Sequence, residues 1–232
     1  MRGMVIVVLV FLAGCAGKTT RQAEETELGR LASLMAPLEA SLNPRPKACL
    51  VIEKTEQINA AVTFVSSDDE GRCTHSLVVT EGALRSLTDE QLQAILAHEL
   101  SHYTLGHLDA YAKRHKIKMA FKTVFYVISQ ITWIGYAIGN VGSLATDAVS
   151  NAYTREDETA ADLEGARFLR EASVKWHGPN RPSGCDQMPK MLEVLRQHSG
   201  DSLWADYLGD HPSLPTRTLV VQAYCAGFPN AS

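Results

Sequence analysis

Leu28, Leu31, Leu34, Met35, Leu38 and Leu42 recur at the three- and four-residue spacing of a single helical face, and Pro44 and Pro46 end the pattern. The chain then changes period. Residues 49–53, 59–65 and 75–80 are short β-type runs, divided by the turn-rich Ser66-Ser67-Asp68-Asp69-Glu70-Gly71, and they predict two or three strands of a small, mostly antiparallel sheet. A second helix announces its own start. Thr88 and Gln91 are spaced as a capping box, Leu87 and Leu92 as a hydrophobic staple, and Asp89 and Glu90 suit the positive end of the helix dipole. Leu92, Ile95, Leu96 and Leu100 continue it as an apolar surface, with Gly106 as terminator. Further helices are expected over 155–170, over 187–197 after the Gly/Pro-rich loop 177–184, and in a short run through Val221 after Asp210-His211-Pro212.

Residues 119–149 break this regularity. The stretch 124–138 is nearly uncharged and aromatic-rich, and Gly135, Gly139 and Gly142 permit close helix approach. It reads as a buried helical hairpin, as an element contacting membrane beside the site, or as a membrane span. Ser129, Gln130 and Thr132 interrupt it near the lower length limit for spanning, which favours a helix over or beside the cleft.

With 232 residues, 45% of them apolar, the chain suffices for one domain plus a leader. A net charge of -4 without any block of Lys or Arg gives no reason to expect nucleic acid or an anionic membrane surface as the main partner. The leader is more informative: Arg2 precedes the apolar residues 4–12, too short to cross a bilayer, as in a signal peptide. It ends in Leu12-Ala13-Gly14-Cys15, which resembles the lipobox of bacterial lipoproteins, cleaved before a cysteine that then carries acyl chains. Ala16 in the next position, where Asp is absent, resembles the outer-membrane sorting pattern. The expected organisation is a signal peptide over 1–14, a lipidated tether over 15–26 and one globular domain over 27–232.

Beyond Cys15 the chain has Cys49, Cys73, Cys185 and Cys225, an even number in a chain destined for an oxidising compartment. Three pairings are open. Cys185 with Cys225 would close the C-terminal part, and no CxxC spacing supports a cysteine-rich zinc site.

The chemistry centres on His98-Glu99-Leu100-Ser101-His102, an HExxH motif. Residues four apart on a helix project from one face, so both imidazoles can reach one ion while the Glu99 carboxylate reaches a water activated by it. Zinc lowers the pKa of such a water towards ~7, and a carboxylate can take its proton and pass it to the leaving amine. Catalytic zinc needs a third protein ligand. His107 fails the long three-histidine signature, which wants Gly and His where Leu105 and Leu108 stand. Glu158 and Asp162 share one helical face further on, spaced as a ligand and a carboxylate that orients a zinc-bound imidazole.

Arg155-Glu156-Asp157-Glu158-Thr159-Ala160-Ala161-Asp162 resembles the RExExxAD segment of HtpX-type and CAAX-protease-type zinc endopeptidases, and it follows the HExxH motif at a similar remove. Asp210-His211-Pro212-Ser213 with Arg217 is similar to their HPS-xxx-R segment, and Asn59-Ala60 with residues 78–84 to the strand pair before their active-site helix. The likeness covers roughly residues 25–225. It implies zinc held by His98, His102 and Glu158, with Glu99 as general base and acid and Asp162 behind the ligands. It also implies that His211 lies near the metal, to steady an oxyanion or to gate the open coordination site. A purely structural role for His211, capping the last helix, stays open. Arg217 either clamps substrate backbone or pairs with an acidic residue. His107, His75, His115, His177 and His198 are expected to be structural or superficial.

The expectation is therefore a mainly helical α+β zincin-type domain, with the strand 75–80 as an exposed edge on which extended peptide could add. Its function would be a zinc endopeptidase on the periplasmic face of the outer membrane, anchored through Cys15, hydrolysing unfolded or misassembled proteins, with envelope assembly machinery as a further partner. The rival is a latched, inactive lipoprotein of the same fold that works as a chaperone-like binding module.

Overall fold

The computed structural model describes residues 20–40, 42, 46–64, 73–113, 153–177, 184–198, 201–204, 211 and 215–227. Its sheet begins with β1 (Thr20–Gln22), antiparallel to β2 (Ala48–Glu53) with Thr20 opposite Glu53. β3 (Ala60–Thr63) and β4 (His75–Thr80) pair antiparallel, Val62 opposite Leu77, and β4 also lies parallel to β2 with Ala48 opposite His75. The order is β1-β2-β4-β3. Two pairings are antiparallel, as the pattern suggests, but the middle one is parallel because β3 takes the far side of β4. The strand 75–80 is thus central rather than an exposed edge, and β3 holds the edge position instead. Its burial fits, since all of β4 except Val78 is buried. Residues 20–22, assigned by composition to the tether, belong to the sheet. Main-chain pairing at an edge does not require an apolar sequence.

The helices follow from local signals. α1 (Glu25–Glu39) opens with a reciprocal box between Glu24 and Glu27 and buries Leu31, Leu34, Met35 and Leu38, while Leu28 stays exposed. It ends at Glu39, short of Leu42. α2 (Glu81–Ser86), which the sequence pattern did not suggest, starts where the Thr80 hydroxyl accepts the Ala83 N–H. A side chain on Gly82 would collide with the carbonyl oxygens of Glu56 and Gln57, so only glycine lets this turn lie against the segment leading into β3.

α3 (Asp89–Thr104) has the expected cap: Thr88 Oγ1 accepts the Gln91 N–H at 3.3 Å and Gln91 Oε1 accepts the Thr88 N–H at 3.0 Å. From Ala94 to His102 every residue is buried, which makes α3 the axis of the domain. Gly106, at φ 70°, turns the chain out of α3, and residues 107–113 resume as helix. α4 (Arg155–His177) runs about two turns beyond the expected 155–170 and begins with a second reciprocal cap between Thr154 and Asp157. It crosses α3 closely at Gly165, where a Cβ would stand 2.6 Å from Met188 Cε and 3.3 Å from the Ala97 carbonyl. α5 (Gln187–Gln197) and α6 (Pro215–Ala226) complete the described helices.

The core joins α1, the inner sheet face and the helices in one cluster that includes Ile52, Leu77, Val79, Leu96, Leu100, Phe168 and Leu192. Disulfides link Cys49 with Cys73 and Cys185 with Cys225, the latter tying the start of α5 to the end of α6. The apolar segment 119–149 and the leader with Cys15 lie outside the described residues. Among those described, no helix is long and apolar enough to cross a membrane.

Candidate metal centre

His98 and His102 stand one turn apart on α3 with ring centroids 4.7 Å apart, and the close crossing at Gly165 brings Glu158, in the first turn of α4, against them. His211, outside any helix, enters from the chain preceding α6. All four side chains are buried, with one donor atom from each within 4.8 Å of the rest.

Several of the separations are close to those between donors around one tetrahedral ion. Zinc bonds of about 2.0–2.1 Å place donor atoms about 3.3 Å apart at the corners of a tetrahedron. His98 Nε2 lies 3.0 Å from His102 Nε2, 3.3 Å from His211 Nδ1 and 3.5 Å from Glu158 Oε2. Glu158 Oε1 lies 3.3 Å from His102 Nε2 and 3.1 Å from His211 Nδ1. Two imidazoles, a carboxylate and a third imidazole form a donor set of the kind zinc takes. Beside it Glu99 is hydrogen-bonded through Oε2, which accepts the Val62 N–H of β3 at 3.0 Å, while the buried Oε1 has no hydrogen bond among the described residues and faces His211 Nε2 at 3.4 Å. An oxygen at the edge of the cluster that no hydrogen bond holds among the described residues leaves this carboxylate able to take up a proton.

Asp162 and Arg217 hold the cluster from behind. Asp162 Oδ1 contacts His98 Nδ1 at 2.9 Å, which turns the opposite nitrogen of that ring towards the cluster. Arg217 donates from Nε to Asp162 Oδ2 at 2.6 Å and from Nη2 to Oδ1 at 2.8 Å. Its Nη1 lies 2.9 Å from Glu158 Oε2 as an ion pair without an aligned hydrogen bond. Only 2% of Arg217 is exposed, so of its two expected roles the pairing with acidic residues is the one observed and the clamp on substrate is not: the guanidinium faces inward to balance two buried carboxylates.

Charges within the cluster oppose burial. For His98, burial favours the neutral ring, but Glu158 and Asp162 outweigh it and raise the pKa to about 10. His98 would release that proton on taking a cation. His102 goes the other way, down to about 3, chiefly through burial. Burial also pushes the Glu99 carboxyl above its ordinary value, against the pull of His211 and His98. Glu158 and Asp162 resist burial and stay below the usual carboxylate range, Glu158 through His211 and His98, Asp162 through Arg217 and His98.

The geometry thus brings together His98, Glu99, His102, Glu158, Asp162 and His211, all named from sequence. Two neighbours were missed. His107 Nδ1 lies 3.0 Å from His102 Nδ1, and Tyr153 stacks on the His102 ring at 3.8 Å between centroids. The signal for His107 was Gly106: across a left-handed glycine, helical spacing no longer says which side chains meet. Tyr153 had no sequence signal at all.

The model of peptidase family M48 matches residues 22–224. The chain belongs to that family. Protease HtpX of Psychrobacter sp. (strain PRwf-1) is 25% identical over 175 residues, 65% of this chain and 57% of that protein. A protease HtpX homolog of Fusobacterium nucleatum is 21% identical over 194 residues, 72% of this chain and 60% of the relative. The uncharacterized metalloprotease YhfN of Bacillus subtilis is 25% identical over 191 residues, 71% of this chain and 40% of YhfN. The M48 chain therefore spans roughly half the length of these relatives. Among solved structures, Ste24p of S. mikatae aligns over 89% of this chain and 51% of its own, at 15% identity and a TM-score of 0.47.

Proposed function

We propose that this M48 chain is a zinc-dependent endopeptidase in which His98, His102 and Glu158 hold the ion and Glu99 moves the proton. The observation that carries the reading is the Glu99 carboxylate beside four buried side chains whose donor atoms lie within 4.8 Å of one another. A bound zinc ion would supply Lewis acidity, making water more acidic and polarising the scissile carbonyl. The chain's own residues do the rest. The Val62 N–H holds Oε2 still, so Oε1 takes the proton as the water oxygen bonds to the carbonyl carbon. Burial raises the affinity of Glu99 for a proton, which suits it to take and hold that proton until it passes to the amide nitrogen as the C–N bond breaks. β3, the sheet edge beside α3, is suited to receive an extended peptide by main-chain pairing, a sequence-tolerant mode consistent with unfolded or misassembled proteins as substrates.

Cys15 as a lipid anchor, with a signal peptide over 1–14, would place the enzyme at the periplasmic face of the outer membrane, within reach of envelope assembly machinery. The two disulfides agree with an oxidising compartment. The inactive binding module is not favoured, because both the donor set and Glu99 are intact.

His211 gives the reading a second feature. Catalytic zinc sites keep one position for water or substrate, whereas four protein donors make a closed site. With its Nδ1 in the set, His211 must yield before hydrolysis, and it is the one donor not carried by a helix. The test is proteolysis of a casein-type substrate by zinc-loaded wild type, Glu99→Gln and His211→Ala. Glu99→Gln loses about 10²- to 10⁴-fold in kcat at unchanged zinc content, and activity near wild type in that variant would sink the reading. His211→Ala raises activity if His211 gates the ion. A loss instead would assign it to the oxyanion.

A further inference from the structure

The two helical histidines are supported by different partners. His98 Nδ1 meets the Asp162 carboxylate, but His102 Nδ1 meets another imidazole, His107 Nδ1, at 3.0 Å. This contact depends on Gly106. In an unbroken helix of 3.6 residues per turn, positions five apart point about 140° away from each other. Gly106, at φ 70°, breaks that rule and folds His107 back beside His102, where only 9% of it stays exposed.

Two imidazole nitrogens at this distance share a single proton, so one must be N–H and the other a lone pair. If His102 offers Nε2 to the cluster, its Nδ1 carries the hydrogen and His107 Nδ1 accepts it. His107 then bears its own hydrogen on Nε2, which lies 3.7 Å from Asp157 Oδ1. Asp157 is itself fixed by the reciprocal cap with Thr154 at the start of the helix that carries Glu158.

We infer that His107 is a positioning residue of the metal centre, accepting the Nδ1 hydrogen of His102 so that Nε2 is the nitrogen turned to the ion. The inference rests on the zinc reading above and assigns His107 a role in it. Tyr153, stacked on the face of His102 at 3.8 Å, fixes the plane of the ring, while His107 fixes its tautomer and rotation.

The experiment uses the full chain and reads metal affinity, with no dependence on turnover. Cobalt(II) and zinc dissociation constants are measured by chelator competition for wild type, His107→Leu and His107→Asn, together with the cobalt absorption spectrum and the melting point of each metal-free protein. Leucine fills the space without an acceptor, whereas the asparagine carboxamide can present an oxygen where Nδ1 stood. The expected result is that His107→Leu weakens binding about 10- to 100-fold with an altered cobalt spectrum. His107→Asn recovers most of both, whatever the two substitutions do to the melting point. Wild-type affinity in His107→Leu, or equal loss in both variants, overturns the role of His107 while the zinc reading stands. A wild-type chain that binds neither ion overturns both.

Discussion

Arg217→Met is a sharp test of how the centre is held. The guanidinium is 2% exposed, grips Asp162 through two hydrogen bonds of 2.6 and 2.8 Å, and pairs with Glu158 at 2.9 Å. Methionine fills much of the stem's volume but leaves Asp162 with His98 as its remaining polar contact among those described above, and Glu158 without a permanent cation. Removing one partner of a buried pair costs about 3–5 kcal/mol, because the other charge stays desolvated. For a domain of this size each kcal/mol shifts Tm by about 2–4 °C. The metal-free variant should therefore melt roughly 6–20 °C below wild type. Zinc should restore part of the loss, since an ion at His98, His102 and Glu158 supplies positive charge to the same carboxylates. Arg217→Met with Asp162→Asn should cost less than the sum of the two single changes. Thermal unfolding by circular dichroism, with chelator and with zinc, measures all of this. A metal-free Arg217→Met protein melting within about 2 °C of wild type, or strict additivity in the double variant, would refute the reasoning. The exposed Arg196, paired with Glu193 on the surface of α5, is the control whose loss leaves the midpoint in place.

Other consequences are independent of the ion. Burial lowers the pKa of His75 to about 4, so the folded chain keeps it neutral while the unfolded chain protonates it near 6.5. Its support for the fold is complete above about pH 6.5 and is lost as pH falls towards 4; His75→Phe, which can keep the stack on Tyr103, should flatten urea-derived stability across that window. Replacing Cys185 and Cys225 together by serine opens a loop with a sequence separation of 40, worth about 4 kcal/mol by chain entropy, and should lower the urea midpoint accordingly. Gly82→Ala should destabilise by about 1–3 kcal/mol, because the added methyl meets two fixed carbonyls rather than a movable side chain.

What the sequence revealed was what local rules determine. The α3 cap, the end at Gly106 and the shared face of Glu158 and Asp162 depend on neighbours within one or two helical turns, and the structure places them accordingly. The HExxH spacing likewise puts two rings at one point because helix geometry does so. Features set by contacts distant in sequence were hidden. β3 crossing to the far side of β4 makes the central pairing parallel, and nothing in residues 48–80 records that choice. The polar sequence of 20–22 concealed an edge strand. Arg217 reads as a surface clamp or as the partner of an unnamed acidic residue until α6 is seen to bring it to Asp162 and Glu158 of α4. His107 was set aside as a ligand because Leu105 and Leu108 break the three-histidine signature, and that signature says nothing of a contact made behind His102 across Gly106.

The most direct test is anomalous diffraction at the zinc edge from crystals of the zinc-loaded chain. The account predicts one peak per chain, about 2.0–2.1 Å from His98 Nε2, His102 Nε2 and a Glu158 oxygen. A peak held by other residues, or Glu158 turned away from an ion bound by the two histidines, would contradict it.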